Sequence, residues 1–377
     1  MFSTKLCTRS YSPTPLLLAK RSIFKLFGYK KENSVDLIRE DSQVALREPE
    51  YPISLTGKPR LTELSLKGVA QYMMTAECQN ILVLSGAGIS APAGIPDYRK
   101  YGGIEARKLM GEKGYVEKED ADKLLDITHF AIQPYGMIRF VQALWPGNHR
   151  PTYGHYFIKT LQEKGLLLRN WTENLDNLEK LAGIRDDKLV EYHGSLLTWK
   201  CQNIQCFAEY DLMWLKERLE MYQFPNCSKC FDKTVPAIHW NEEETSELFR
   251  QASVDAENCD LLIVVGSDLL RHPFSTIPHM VPWDVPRLVL LDGEVENDHD
   301  ILDMSVNFDF ESDQAYRDVF WGGNTDLGIL SLCSYLHWDQ DVKYMMDQDT
   351  AALPTRKHMQ ERLGLFSNKN DKLPKLR

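Results

Sequence analysis

Ile81-Leu82-Val83-Leu84-Ser85-Gly86-Ala87-Gly88-Ile89-Ser90-Ala91 is the stretch that decides how this chain folds. A short apolar run without alternation suits a strand buried on both faces. The glycines directly after it let backbone amides approach a pyrophosphate, and a helical start beyond them favours the anion. On its own a glycine pair after a strand is a weak signal, since many such pairs only make turns. The pattern recurs, however. Leu166-Leu167-Leu168 leads to Thr172-Glu173-Asn174, Leu261 to Val265 ends at Gly266-Ser267-Asp268, and Leu288 to Leu291 ends at Asp292-Gly293-Glu294. Four runs of this kind predict an α/β fold, a Rossmann-like parallel-sheet domain whose ligand crevice lies beyond the carboxyl ends of the strands. Upstream, Thr62 is the expected cap of a helix with Leu66, Val69, Ala70 and Met73 at helical spacing.

The continuation Pro92-Ala93-Gly94-Ile95-Pro96-Asp97-Tyr98-Arg99 departs from a dehydrogenase fingerprint. That fingerprint runs on as a helix toward an acidic residue about 20 positions later. Two prolines here interrupt any such helix.

Between the second and third apolar runs stand Cys201 and Cys206 with four residues between them, then 20 residues, then Cys227 and Cys230 with two between them. Two close pairs at this separation form two knuckles that present four thiolates to one ion, a tetrahedral structural Zn2+ site. The expected module spans residues 199–235. The other four cysteines of the eight, Cys7, Cys78, Cys259 and Cys333, are scattered, which fits a reducing compartment better than a disulfide framework.

The 31 residues at the start contain seven Lys or Arg, many Ser and Thr, and no acid before Glu32. That is the composition of a mitochondrial transit peptide, so the expected location is the mitochondrial matrix. Residues 32–60 read as a linker, 61–350 as the catalytic domain with the zinc module inserted, and 351–377 as a polar tail. Without the leader, 37 basic residues face 54 acidic ones. Such an acidic body disfavours direct contact with nucleic acid and argues against a DNA-binding zinc ribbon. It suits basic partners such as lysine-bearing protein segments. The chain has no uninterrupted apolar run of about 18 residues, so no membrane span is expected.

The Gly86–Arg99 stretch resembles the cofactor loop of sirtuins, with Tyr98 where that family carries Phe. Thr172-Glu173-Asn174-Leu175-Asp176 resembles a second sirtuin segment, and Tyr192-His193-Gly194 stands just ahead of the cysteines, where the family has its catalytic histidine. Trp145 to Asn148, His155 to Phe157, Lys164 to Leu168, Asp318 to Gly323 and Leu336 to Trp338 extend the likeness over roughly residues 60 to 346. The resemblance implies removal of acetyl or other acyl groups from protein lysines at the expense of NAD, yielding nicotinamide and O-acyl-ADP-ribose. His193 is then the base, an imidazole being suited to proton transfer near neutral pH. Asn174 and Asp176 line the nicotinamide pocket, where a buried Asp gains a donor from the amide. Cofactor contacts fall on Ala87, Gly88, Ile89, Ser90, Ala91, Asp97, Tyr98, Arg99, Glu173, Asn174, Leu175, Asp176, Gly266, Ser267, Asp268, Asp292, Gly293 and Glu294. Without the resemblance, Asp176 reads as the cap of a following helix, and His193 as a structural histidine.

Several residues leave the family pattern. Glu173 replaces Gln, Asp268 replaces a neutral residue, Ala237 to Glu243 differ from the loop that pairs with substrate peptides, and His272 stands where a small apolar residue is usual. These departures motivate a second reading, a catalytically weak regulator that binds NAD or ADP-ribose. A mono-ADP-ribosyltransferase ranks third, and a hydride-transferring dehydrogenase last.

Overall fold

The computed structural model describes residues 59–95, 97, 126–132, 134–221, 223–239, 246–270, 274–292 and 307–352. Among these, β1 (Ile81–Ser85), β2 (Leu167–Thr172), β3 (Leu189–Glu191), β7 (Leu261–Val265), β8 (Arg287–Leu291) and β9 (Asp318–Gly322) form one sheet in the order β3-β2-β1-β7-β8-β9. Every pairing in it is parallel. The strands β4 (Gly194–Cys201), β5 (Glu209–Asp211) and β6 (Thr234–Ile238) are diverted into a separate antiparallel sheet, ordered β5-β4-β6. With those three set aside, the large sheet has the doubly wound order of dinucleotide-binding folds, and its reversal of direction falls between β1 and β7.

The central strands are apolar throughout because both of their faces are covered. Ile81, Val83, Ile263 and Val265 join one core with residues of the helices Leu66–Met73, Tyr153–Glu163 and Thr325–Leu336. Leu82, Leu84, Leu262 and Val264 join the opposite core with Ala252 and Ala256 of the helix Ser246–Glu257. Each such side chain contributes about 1.5–3 kcal/mol on burial.

β2 extends past its apolar run because its polar residues are satisfied inside. Asn170 accepts the Ser85 hydroxyl at 3.0 Å, while Arg169 Nε and Trp171 Nε1 both donate to buried Asp255, at 2.7 and 2.8 Å. The first helix begins later than expected. Ser65, not Thr62, is its cap, accepting the Gly68 amide at 3.1 Å, and Thr62 instead donates to Gln71 at 2.7 Å.

The small sheet has its own core, which is wider than the cysteine segment. Trp199, Leu212, Leu215, Val235 and Ile238 pack with Phe130, Met137, Phe140 and Trp145, which come from the helices Ile127–Ile132 and Pro134–Ala143 and the turn after them. Among the described residues no helix is long and apolar enough to cross a membrane. The expected leader 1–31, nearly all of the linker, Tyr98, Arg99, Gly293, Glu294, Trp240 to Glu243, His272 and the tail beyond 352 lie outside the described residues.

Candidate functional site

The crevice at the reversal is built from glycines. The Gly86 amide donates to Val265 O at 3.1 Å and the Gly88 amide to Gly266 O at 2.8 Å, so the loops after β1 and β7 interlock. A Cβ on Gly88 would lie 2.6 Å from Gly266 Cα, and one on Gly86 would lie 2.7 Å from Ser267 Cα and Cβ. Gly266 also has φ +64°, a left-handed conformation that glycine adopts without penalty. Two short 3-10 turns, Ala87–Ile89 and Ala91–Ala93, carry the chain away, with Ile89 and Ser90 buried and Ala91 exposed.

The end of β2 turns in beside this loop. Glu173, at 1% exposure, donates its amide to Ser85 O at 3.0 Å. Asn174 Nδ2 donates to Gly86 O at 3.0 Å, which ties the Asn174 side chain directly to the glycine loop. Asp176 Oδ1 accepts the Leu178 amide at 2.9 Å from one residue before the cap, which is Asn177, so it satisfies the first amide of the helix without being its cap. Leu175 is buried in the small-sheet core.

Beneath Asp176 lies a polar cluster that sequence reasoning gave no role. His155, Asp176 and Glu179 are all buried and bring one ligand-type atom each within 4.8 Å of the others. Thr172 Oγ1 donates to Glu179 at 2.6 Å. His155 Nδ1 accepts the Thr152 amide at 3.1 Å, which leaves the proton of the neutral ring on Nε2. A ring in that tautomer has no free lone pair for a metal, and its buried Nε2 has no hydrogen-bond partner among the described residues. Burial pushes the Asp176 carboxyl up to about 6, the neighbouring Glu179 charge adding to it, and burial likewise raises Glu179. Burial holds the His155 imidazole down at about 4.

His193 stands between the two sheets, two residues after β3 ends and one before β4 begins. Its Nε2 is 3.8 Å from Glu173 Oε1, and its carbonyl accepts the His239 amide at 2.9 Å. Gly194, at φ +81°, follows it because a Cβ there would lie 2.4 Å from Ala237 O. The structure therefore brings Gly86, Glu173, Asn174, His193 and Ser267 into one contiguous set. Asp268 sits at the same strand end, with Oδ1 accepting the Leu270 amide at 3.3 Å. Asp97 is half-buried beyond the glycine loop. Asp292 follows β8, and its Oδ1 accepts the Thr325 amide at 2.5 Å and hydroxyl at 2.8 Å, at the start of the helix Thr325–Leu336.

The four module cysteines converge. Cys201 and Cys230 Sγ are 3.4 Å apart, Cys206 and Cys227 Sγ are 3.6 Å apart, and all four sulfurs lie within 4.8 Å of one another. Four Zn–S bonds of about 2.3 Å in a tetrahedron require sulfurs about 3.8 Å apart, so the set fits one zinc ion with no open position. Tyr210 accepts the Ser228 amide at 2.8 Å and turns its own hydroxyl to Cys227 Sγ at 3.0 Å, the kind of outer contact that orients a thiolate ligand.

A glycine-lined crevice at the sheet's reversal, an imidazole at its rim and a closed thiolate centre in an inserted sheet define a dinucleotide-dependent α/β enzyme with a structural zinc module. The Sir2 family model matches residues 86–273. A Danio rerio protein named NAD-dependent protein deacetylase sirtuin-2 is 34% identical over 305 residues, 80% of this chain and 79% of that protein. Schizosaccharomyces pombe NAD-dependent protein deacetylase hst2 is 30% identical over 294 residues, 76% of this chain and 81% of its own length. Mouse NAD-dependent protein deacetylase sirtuin-3 is 30% identical over 292 residues, 77% and 82% respectively. The chain belongs to the Sir2 family.

Proposed function

We propose that this chain is an NAD-dependent protein-lysine deacylase. NAD, water and an acylated lysine are consumed, and nicotinamide, O-acyl-ADP-ribose and free lysine are released. The observation that carries this reading is the convergence of the Gly86–Ser90 loop, Asn174 and His193 at the carboxyl ends of three neighbouring strands. Asn174 Nδ2 on Gly86 O at 3.0 Å and Glu173 beside both Ser85 and His193 join these segments.

In this reading the glycine loop holds the pyrophosphate through backbone amides. Asn174 and Asp176 form the nicotinamide end of the pocket. His193 takes a proton from a ribose hydroxyl, the task of a positioned base that titrates near neutrality. The zinc ion holds the small domain's knuckles together and touches no reacting atom. The partners are proteins bearing acyl-lysine, and the composition of residues 1–31 supports delivery to the mitochondrial matrix.

The test is a mass-spectrometric screen of the purified chain with NAD and a panel of acyl-lysine peptides. Paired release of nicotinamide and O-acyl-ADP-ribose, lost on His193→Ala, is the expected result. Absence of both products with every acyl group overturns the proposal. Delivery is tested separately, by imaging the tagged chain in cells with and without residues 1–31.

A further inference from the structure

Glu173 is a buried carboxylate held from two sides. Ser267 Oγ donates to its Oε2 at 2.6 Å, and that hydroxyl oxygen in turn accepts the Leu269 amide at 3.2 Å. The other oxygen, Oε1, stands 3.8 Å from His193 Nε2. The side chain thus spans from the end of β7 to the imidazole after β3, passing over β1 where Gly86 leaves room: a Cβ at 86 would collide with Ser267 at 2.7 Å. Removing a carboxylate from water is expensive, and such groups persist where a donor and an opposite charge compensate them. Among the described residues Ser267 is a donor to it, and a charge facing Oε1 arises when His193 takes up a proton.

We propose that Glu173 is a positioning residue for His193, fixing the ring at the crevice rim and stabilising its protonated form. The inference rests on the deacylase reading above. The proton that leaves the ribose hydroxyl stays on the imidazole. The effect of Glu173 is electrostatic and orienting, as a carboxylate behind a catalytic imidazole acts in other enzymes. Glu173 thereby acts on turnover through His193, apart from any contact with the nucleotide, which Gln at this position would keep.

The experiment is a double-mutant cycle on the full chain, following O-acyl-ADP-ribose formation by mass spectrometry with NAD varied. Glu173→Gln keeps the shape and an acceptor for Ser267 while removing the charge. Gln is also the residue the family pattern carries at this place, so the variant is expected to fold. Groups that act through one another show coupling, with single effects that do not add. The expected result is a fall in kcat of about fivefold with KM for NAD within about twofold. In a His193→Ala background the same substitution changes residual turnover by less than about twofold. Ser267→Ala, which frees Oε2 and leaves the charge, is expected to lower kcat by a smaller factor with the same dependence on His193. Equal losses with and without His193, an unchanged kcat, or a raised KM for NAD in both backgrounds overturns the inference. Failure of wild-type turnover with every acyl group overturns the deacylase reading itself, whereas full turnover by His193→Ala leaves that reading standing and overturns the base role of His193 and this inference with it.

Discussion

The Gly88 amide donates to the Gly266 carbonyl at 2.8 Å, and each of these glycines occupies the space that a side chain on the other would need. The two loops that flank the crevice are therefore one interlocked unit. Gly88→Ala places a methyl 2.6 Å from Gly266 Cα, a backbone contact that no side-chain rotation relieves. The expected outcome is a destabilisation of about 1–3 kcal/mol, measured by denaturant melts. Calorimetry should show a loss of NAD affinity larger than the stability change explains.

The metal centre gives a second expectation. Elemental analysis should find one zinc per chain, lost on Cys206→Ser. Because thiolate coordination is folding free energy for a small module, chelation is expected to expose Trp199 and Trp214 to solvent. Tryptophan fluorescence follows that change without reference to activity.

Asp176 and His155 pull stability in opposite directions with pH. The Asp176 carboxyl rises from 3.8 to about 6 on folding, so the folded state is penalised as pH climbs between those values and stays penalised above. The His155 ring falls from 6.5 to about 4, so its burial costs stability as pH drops through that range. Asp176→Asn removes the first effect and, because the Asp176 charge raises the His155 ring, deepens the second below pH ~6.5. The variant should gain up to about 3 kcal/mol over wild type above pH ~6 and nothing below pH ~3.8, as urea melts at several pH values will read. Nicotinamide release should fall in the same variant.

Arg287 and Asp318 form a bidentate pair at 2.6 Å on both arms, at 1% and 3% exposure. Arg287 also donates to Pro278 O at 3.1 Å and to Asn307 O at 2.6 Å. Asp318→Ala leaves a buried guanidinium without its counter-charge, which costs about 3–5 kcal/mol. Denaturant midpoints provide the check, and the Arg287→Met, Asp318→Leu double replacement should recover most of the loss.

The central strands were readable because burial on both faces demands unbroken apolar runs, as in Leu261–Val265. β2 was cut short in the reading because Arg169 and Asn170 interrupt the run, and only tertiary partners such as Asp255 and Ser85 explain how they are accommodated. The same limit hid the small domain's reach: nothing local in Phe130 or Phe140 says that they pack beneath Trp199. In the crevice, Gly86, Asn174 and His193 are legible only through the family likeness of their motifs, since their residue types alone read as a turn and a structural histidine. His155 gives no such sign of its surroundings, because Thr152-x-x-His155 is a helix-start pattern, and its neighbours Asp176 and Glu179 meet it only in three dimensions. Asp292 likewise has a partner that no local pattern discloses, its Oδ1 accepting from Thr325 more than 30 residues away.

The imidazole's place in the chain has a mechanical consequence. His193 belongs to the short span joining the last residue of β3 to the first of β4, and its carbonyl is clasped by the amide of His239 just after β6. Any swivel of the three-stranded sheet carries the ring along with it. A zinc held by the four cysteines of that sheet would thus work as a fastening for the ring: loosening it is expected to misaim His193 before the larger sheet loses a strand.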